Sequence, residues 1–214
     1  NMKKNAVIFD LDGTMWNACE PVLISWNRVL ARHGGLPAVT METIESFMGK
    51  TLDEIVSLFF TQMTHEEGLA IARECVVEEG NYLAEHGAAL FDGLEETLQK
   101  LAQQYTLCLV SNCEAGYAEA FLSYYGFDRY FTDYEYSGRT QKSKGENIRM
   151  VILRNGIENA VYVGDTQSDC DAARQAGVPF IFASYGFGNV DAFDAAVSSI
   201  REIPATARTI FDKF

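Results

Sequence analysis

The sequence predicts an α/β fold: a doubly wound parallel sheet with one all-helical segment inserted into it. Three observations carry that prediction. Short, wholly apolar runs recur along the chain, helical patterns that stop at glycine alternate with them, and residues 16–89 hold helical patterns alone.

The apolar runs are "AVIF" (6–9), "TLCLV" (106–110), "AVYVG" (160–164) and "PFIFA" (179–183). Strands without polar alternation are buried on both faces, as in a parallel sheet covered by helices. Between them, "DGLEETLQKLAQQ" opens at Asp92, an expected N-cap with Glu95 three residues on, and aligns Leu94, Leu98 and Leu101. "EAGYAEAFLSYYG" groups Ala118, Phe121, Leu122 and Tyr125 and stops at Gly126. "KGENIRMVILRNG" groups Ile148, Val151 and Ile152 and ends at Gly156, and "DCDAARQAGVP" closes at Gly177.

Residues 16–89 break this rhythm. "PVLISWNRVLARHG" is amphipathic, and two further segments open with Thr-x-x-Glu, Thr51/Glu54 and Thr64/Glu67, the capping-box spacing. The expected organisation is a sheet domain assembled from 1–15 and 90–214, with 16–89 as a helical cap. The aromatics Trp16, Trp26, Phe47, Phe59 and Phe60 are expected to pack the cap, and His33, His65 and His86 to be surface or helix-end residues.

Composition narrows the partners. A net charge of −13 offers no basic footprint for nucleic acid or an anionic membrane. The five cysteines are odd in number and form no CxxC pair, which predicts reduced thiols, a cytoplasmic setting and no zinc site. Asn1 ahead of Met2 reads as an added residue. Only a run of four apolar residues precedes the first aspartate, too short for a signal peptide, and no run approaches a transmembrane length.

The chemistry gathers at strand exits. "FDLDGT" ends an apolar run with Asp10 and Asp12, which share parity, followed by Gly13 for a sharp turn and the Thr14 hydroxyl. "TLCLVSN" ends in Ser111 and Asn112, and "AVYVGDTQSD" delivers Asp165 and Asp169. "GRTQKSKGEN" places Lys142 and Lys144 ahead of a helix. Ligands of open α/β sheets bind at the carboxyl ends of strands, so these groups are expected on one rim. Carboxylates crowded together raise one another's pKa unless cations share the site. A lysine and a hard, oxygen-bound dication, Mg²⁺, supply that charge.

In this order and spacing the motifs resemble the haloacid dehalogenase-like hydrolase superfamily. The likeness is closest to its phosphatases with a helical cap inserted after the first strand, the phosphoglycolate phosphatase-like branch. It covers nearly the whole chain and implies a Rossmann-like core. It also implies that Asp10 is a nucleophile taking the phosphoryl group, and that Asp12 protonates the leaving oxygen and then activates water. Thr14 would help hold Asp12 and, with Ser111, Asn112 and a lysine, would bind the phosphoryl oxygens. Asp10, the Asp12 backbone carbonyl and Asp165 would bind Mg²⁺, with Asp169 nearby; Asp169 as N-cap of a helix near Cys170 is the structural alternative.

Lys144, which directly opens a helix in "KGENI", matches the relatives better than Lys142, and no proline follows either. Asn17 stands where relatives often carry an aspartate. The presence of Asp12 favours phosphoester over halide chemistry, because an alkoxide needs a proton to leave. In the cap, Gly49 and Lys50 form a turn from which Lys50 is expected to reach the leaving group.

The expected activity is therefore hydrolysis of a small phosphate ester by a monomer or homodimer. A sugar-phosphate mutase and a phospho-accepting signalling module are the rival readings.

Overall fold

The structure, a computed structural model, describes residues 4–214; Asn1, Met2 and Lys3, including the expected added residue, lie outside the described residues. The chain opens with β1 (Asn5–Phe9) and β2 (Trp16–Asn17), then α1 (Cys19–Leu30), α2 (Met41–Phe47), α3 (Leu52–Phe59) and α4 (His65–His86). It returns through β3 (Ala89–Leu90) to α5 (Leu94–Gln104), β4 (Thr106–Ser111), α6 (Tyr117–Tyr125), β5 (Asp133–Tyr136) and the short α7 (Ser137–Thr140). α8 (Lys144–Arg154), β6 (Asn159–Gly164), α9 (Gln167–Ala176), β7 (Phe180–Ala183), β8 (Ala195–Val197) and α10 (Ile203–Phe211) complete it.

Six strands form one parallel sheet in the order β5-β4-β1-β6-β7-β8. β1 lies at the centre, and the strand order reverses between β1 and β6, where such sheets open a crevice at their carboxyl ends. Alternation within the strands builds a core on each face. Val7, Phe9, Leu107, Leu109, Val161 and Val163 face one way, while Ala6, Ile8, Cys108, Val110 and Tyr162 face the other, under Ile148 of α8 and Ala173 of α9.

The four expected strands are all present. Two sheet strands were not expected: β5 is "DYEY" at an edge, its acids paired with Arg139 and Arg154, and β8 is an apolar run of only three residues, "AAV", at the other edge. β2 and β3 pair antiparallel, so the segment expected to be purely helical begins and ends in a two-residue ribbon. The Asp92 cap is not formed: Gly93, in a left-handed conformation, precedes α5, and Asp92 faces Arg201 instead. Thr64 and Glu67 form the full reciprocal box, whereas at Thr51 only the hydroxyl caps, accepting from the Glu54 N–H at 3.3 Å.

Trp26 clusters with Phe47, Phe59 and Phe60 among the helices, while Trp16 packs edge-on against Tyr117 and Phe121 of α6. All five cysteines are free thiols. Among the described residues no helix is long and apolar enough to cross a membrane.

Candidate active site

Three strand ends and two helix starts meet above the β1–β6 boundary. Asp10 follows β1 directly, its N–H bonded to the Val163 carbonyl at 2.9 Å, so the sheet ladder itself aims the side chain. Gly13 turns the chain back at φ +78; a Cβ there would lie 2.1 Å from Asp165 Oδ2, so the turn and the second acid fit only around a glycine. Asp165 follows β6, and Asp169 stands in the first turn of α9.

The buried charges form a connected set. The Lys144 ammonium donates to Asp169 Oδ1 at 2.5 Å and to Asp10 Oδ1 at 3.2 Å, and all three side chains are buried. Lys144 is aimed because Ser143 and Glu146 close a capping box around the start of α8. Lys142 is exposed and its side chain takes no part. The lysine that opens the helix is thus the one that meets the aspartates.

Asp169 is not an N-cap. Thr166 caps α9, and Asp169 Oδ2 accepts from the Thr166 hydroxyl at 2.9 Å and from the Thr166 and Asp165 N–H groups at 3.1 and 3.0 Å. Burial raises its pKa, but Lys144 and Thr166 outweigh burial and hold the carboxyl below its ordinary value. For Lys144 burial works against the ammonium, yet the Asp10 and Asp169 charges prevail and keep it protonated. Asp10 is pushed well above the carboxylate range by burial and then by Asp169, against the pull of Lys144. Burial and Asp169 likewise push Asp165 up to about 7. One ammonium does not neutralise three acids.

Asp10 Oδ2 is buried with no hydrogen-bond partner among the described residues, and oxygens of Asp10, Asp165 and Asp169 lie within 4.8 Å of one another. An orphaned carboxylate oxygen among three buried acids, two of them with raised pKa, is the donor set a small, hard dication fits.

Asp12 is held differently from expectation. Its Oδ1 accepts from the Tyr117 hydroxyl at 2.6 Å and the Trp16 indole at 2.9 Å, while the Thr14 hydroxyl turns to Asp165 at 3.4 Å. Burial lifts Asp12 to about 6, tempered by Tyr117 and Trp16. Oδ2 keeps no such bond. Trp16 four residues after Asp12 was a readable spacing; Tyr117, on another element, was not.

Ser111 and Asn112 sit at the end of β4 as expected. Asn112 donates to the Gly49 carbonyl at 3.0 Å, which ties the loop carrying Lys50 to the sheet. Lys50 lines a cavity of about 60 Å³ together with Asp10, Asp12, Ser111 and Asn112. That is several times the ~10–15 Å³ one water requires. Two residues that the sequence reading did not place at the site also line it: Trp26 of α1, expected only to pack among the helices, and Glu79 of α4. Glu79 had a signal: it interrupts the buried stripe Gly68, Ala72, Cys75, Leu83 at the position of an apolar residue.

The family model described as haloacid dehalogenase-like hydrolase matches residues 7–183. A phosphoglycolate phosphatase of Xanthomonas campestris pv. campestris is 30% identical over 191 residues, covering 85% of this chain and 84% of that protein. A 5'-nucleotidase of Pseudomonas aeruginosa is 29% identical, with 86% and 85% covered. The crystal structure of a predicted phosphoglycolate phosphatase from Haemophilus somnus superposes with a TM-score of 0.81 at 24% identity, covering 96% and 97% of the two chains.

Proposed function

This chain belongs to the haloacid dehalogenase-like hydrolases, and from that premise we propose that it is a Mg²⁺-dependent phosphomonoester phosphatase. Its substrate is a small phosphorylated metabolite such as a sugar phosphate, phosphoglycolate or a nucleotide. The observation that carries the reading is the pair of dissimilar aspartates. Asp10 is buried against Lys144, and Asp12, two residues on, is presented to the cavity by Tyr117 and Trp16.

Asp10 attacks phosphorus through a carboxylate oxygen, forming an aspartyl-phosphate as the ester P–O bond breaks. Asp12 delivers its proton to the departing alkoxide oxygen. The resulting Asp12 carboxylate then takes a proton from water as that water attacks the same phosphorus, releasing inorganic phosphate and restoring Asp10. A carboxyl poised near 6 suits both directions of transfer at neutral pH. Ser111 and Asn112 hold phosphoryl oxygens, and Lys144 offsets their charge and pulls Asp10 towards its ionised form.

Asp10, Asp165 and the Asp12 backbone carbonyl would hold Mg²⁺. Asp169, both of whose oxygens are engaged, serves from behind them. The ion supplies charge neutralisation for the phosphoryl group. Residues 16–89 act as the cap over the sheet unit, with Lys50 reaching the leaving group. The five unpaired thiols support a cytoplasmic setting.

The test is release of inorganic phosphate from an aryl phosphate and a metabolite panel, with Mg²⁺ and with chelator. Metal-dependent release that Asp10→Asn abolishes supports the reading. Appearance of an isomer in place of phosphate would reassign the chain to phosphoryl transfer between sugar hydroxyls.

A further inference from the structure

The wall of the cavity facing the aspartates is largely apolar, with Lys50 on its loop and one acid on a helix. Val22, Trp26, Phe47, Ile55 and Val76 form it, and Glu79 interrupts it from the middle of α4. Glu79 is 9% exposed, and its Oε2 accepts from the Trp26 indole N–H at 2.7 Å. Its Oε1 makes no hydrogen bond among the described residues, and the residue lines the cavity. α4 lies close over the start of α6, where Gly80 meets Gly116 with no side chain on either partner. Glu79 is therefore fixed by its neighbours and by Trp26, with one oxygen left over for whatever enters.

We propose that Glu79 is a specificity-determining residue that selects a neutral, hydroxyl-bearing leaving group and discriminates against one that ends in a carboxylate. The inference rests on the phosphatase reading and narrows its substrate class. Two arguments support it.

The first is hydrogen bonding. Burial pushes the Glu79 carboxyl up to about 8, against the Trp26 hydrogen bond, so at neutral pH the group is mostly the uncharged acid. An uncharged acid both donates and accepts, as a hydroxyl does. A leaving group without a polar atom there would strand Oε1 in an apolar wall.

The second is charge. Among the described residues Lys50 is the single cation lining this cavity, which it shares with Asp10, Asp12 and Glu114 besides the uncharged Glu79. Glu114 is itself raised by burial, and its nearest cation, Arg73, is 3.9 Å away. A substrate carboxylate would add a further negative charge to that wall, beyond the phosphate that Lys144 serves. Hydroxylated phosphate esters bring none.

The experiment compares kcat/KM for glycerol phosphate and phosphoglycolate, esters of similar size with opposite ends, in the wild type, Glu79→Leu and Glu79→Gln. The wild-type ratio is expected to favour glycerol phosphate by ~10-fold or more, a hydrogen bond's worth of discrimination. Glu79→Leu should lower that ratio ~10-fold, and Glu79→Gln, which keeps a donor and an acceptor, should hold it within ~3-fold of wild type. A wild type that prefers phosphoglycolate, or a ratio untouched by leucine, overturns the inference while leaving the phosphatase reading intact. A wild type that releases no phosphate from a generic aryl phosphate removes both. Should Glu79→Leu not fold, the wild-type ratio and Glu79→Gln still decide.

Discussion

The two ends of the cavity are built on opposite plans. At the sheet end three acids and a lysine are buried and joined by short hydrogen bonds, and each comes from a strand exit or a capped helix start. At the helical end the wall is hydrocarbon and aromatic, with one acid on an indole and one lysine on a loop. The difference teaches where chemistry and recognition can each be stored. A reaction needs charges at fixed distances, which hydrogen-bonded strand ends supply. Preference among leaving groups needs only a shaped wall, which a helix face supplies and can alter one residue at a time.

Breaking the sheet end should have the largest effects. Asp10→Asn is expected to lower turnover by at least ~10³-fold while circular dichroism and melting remain those of a folded protein. Phosphate release measures the first, and an active variant would remove the nucleophile assignment. Chelation should reduce wild-type activity ~10²-fold or more, and added Mg²⁺ should restore it.

Lys144→Met tests the same end through stability. It strands Asp10 and Asp169 without their cation and should cost ~3–5 kcal/mol in urea unfolding, whereas Lys142→Ala should stay within ~0.5 kcal/mol. Equal effects of the two would contradict the ion pairs.

The helical end should yield smaller changes. Lys50→Ala is expected to raise KM ~10-fold with kcat little altered, a loss of binding common to ground and transition state; an unchanged KM across substrates removes Lys50 from recognition. Smallest is a pH effect on stability. The Glu79 pKa is raised from 4.5 to about 8 on folding, so the folded state holds a proton that the unfolded chain releases. Its contribution is complete below about 4.5 and is lost as pH rises towards about 8. Glu79→Gln should therefore melt ~3 °C or more above wild type at pH 8, with the gap closing towards pH 5.

The same contrast governs what the sequence disclosed. Asp10, Asp12, Ser111, Asp165 and Lys144 were legible because each lies at the end of an apolar run or the start of a helix, positions that backbone geometry dictates. β5 and β8 were not, because β5 is polar and satisfies its acids with Arg139 and Arg154, and β8 is an apolar run of only three residues. Thr14 was expected to steady Asp12. Tyr117 and Trp16 hold it instead, and a hydroxyl arriving from α6 leaves no trace in local spacing. Glu79 could have been seen as an acid on a buried stripe; its indole partner, 53 positions away, could not.

The ribbon of β2 and β3 carries a consequence for how such an enzyme changes its diet. Trp16 pairs with Leu90 and Asn17 with Ala89, so the chain departs for its helices and comes home through one doorway. Adjacent strands stand only ~5 Å apart. Whatever is spliced between those two lintels, the sheet meets the same pair of ends and the acids beyond it keep their places. New appetites can thus be grafted at the doorway without retuning the chemistry behind it.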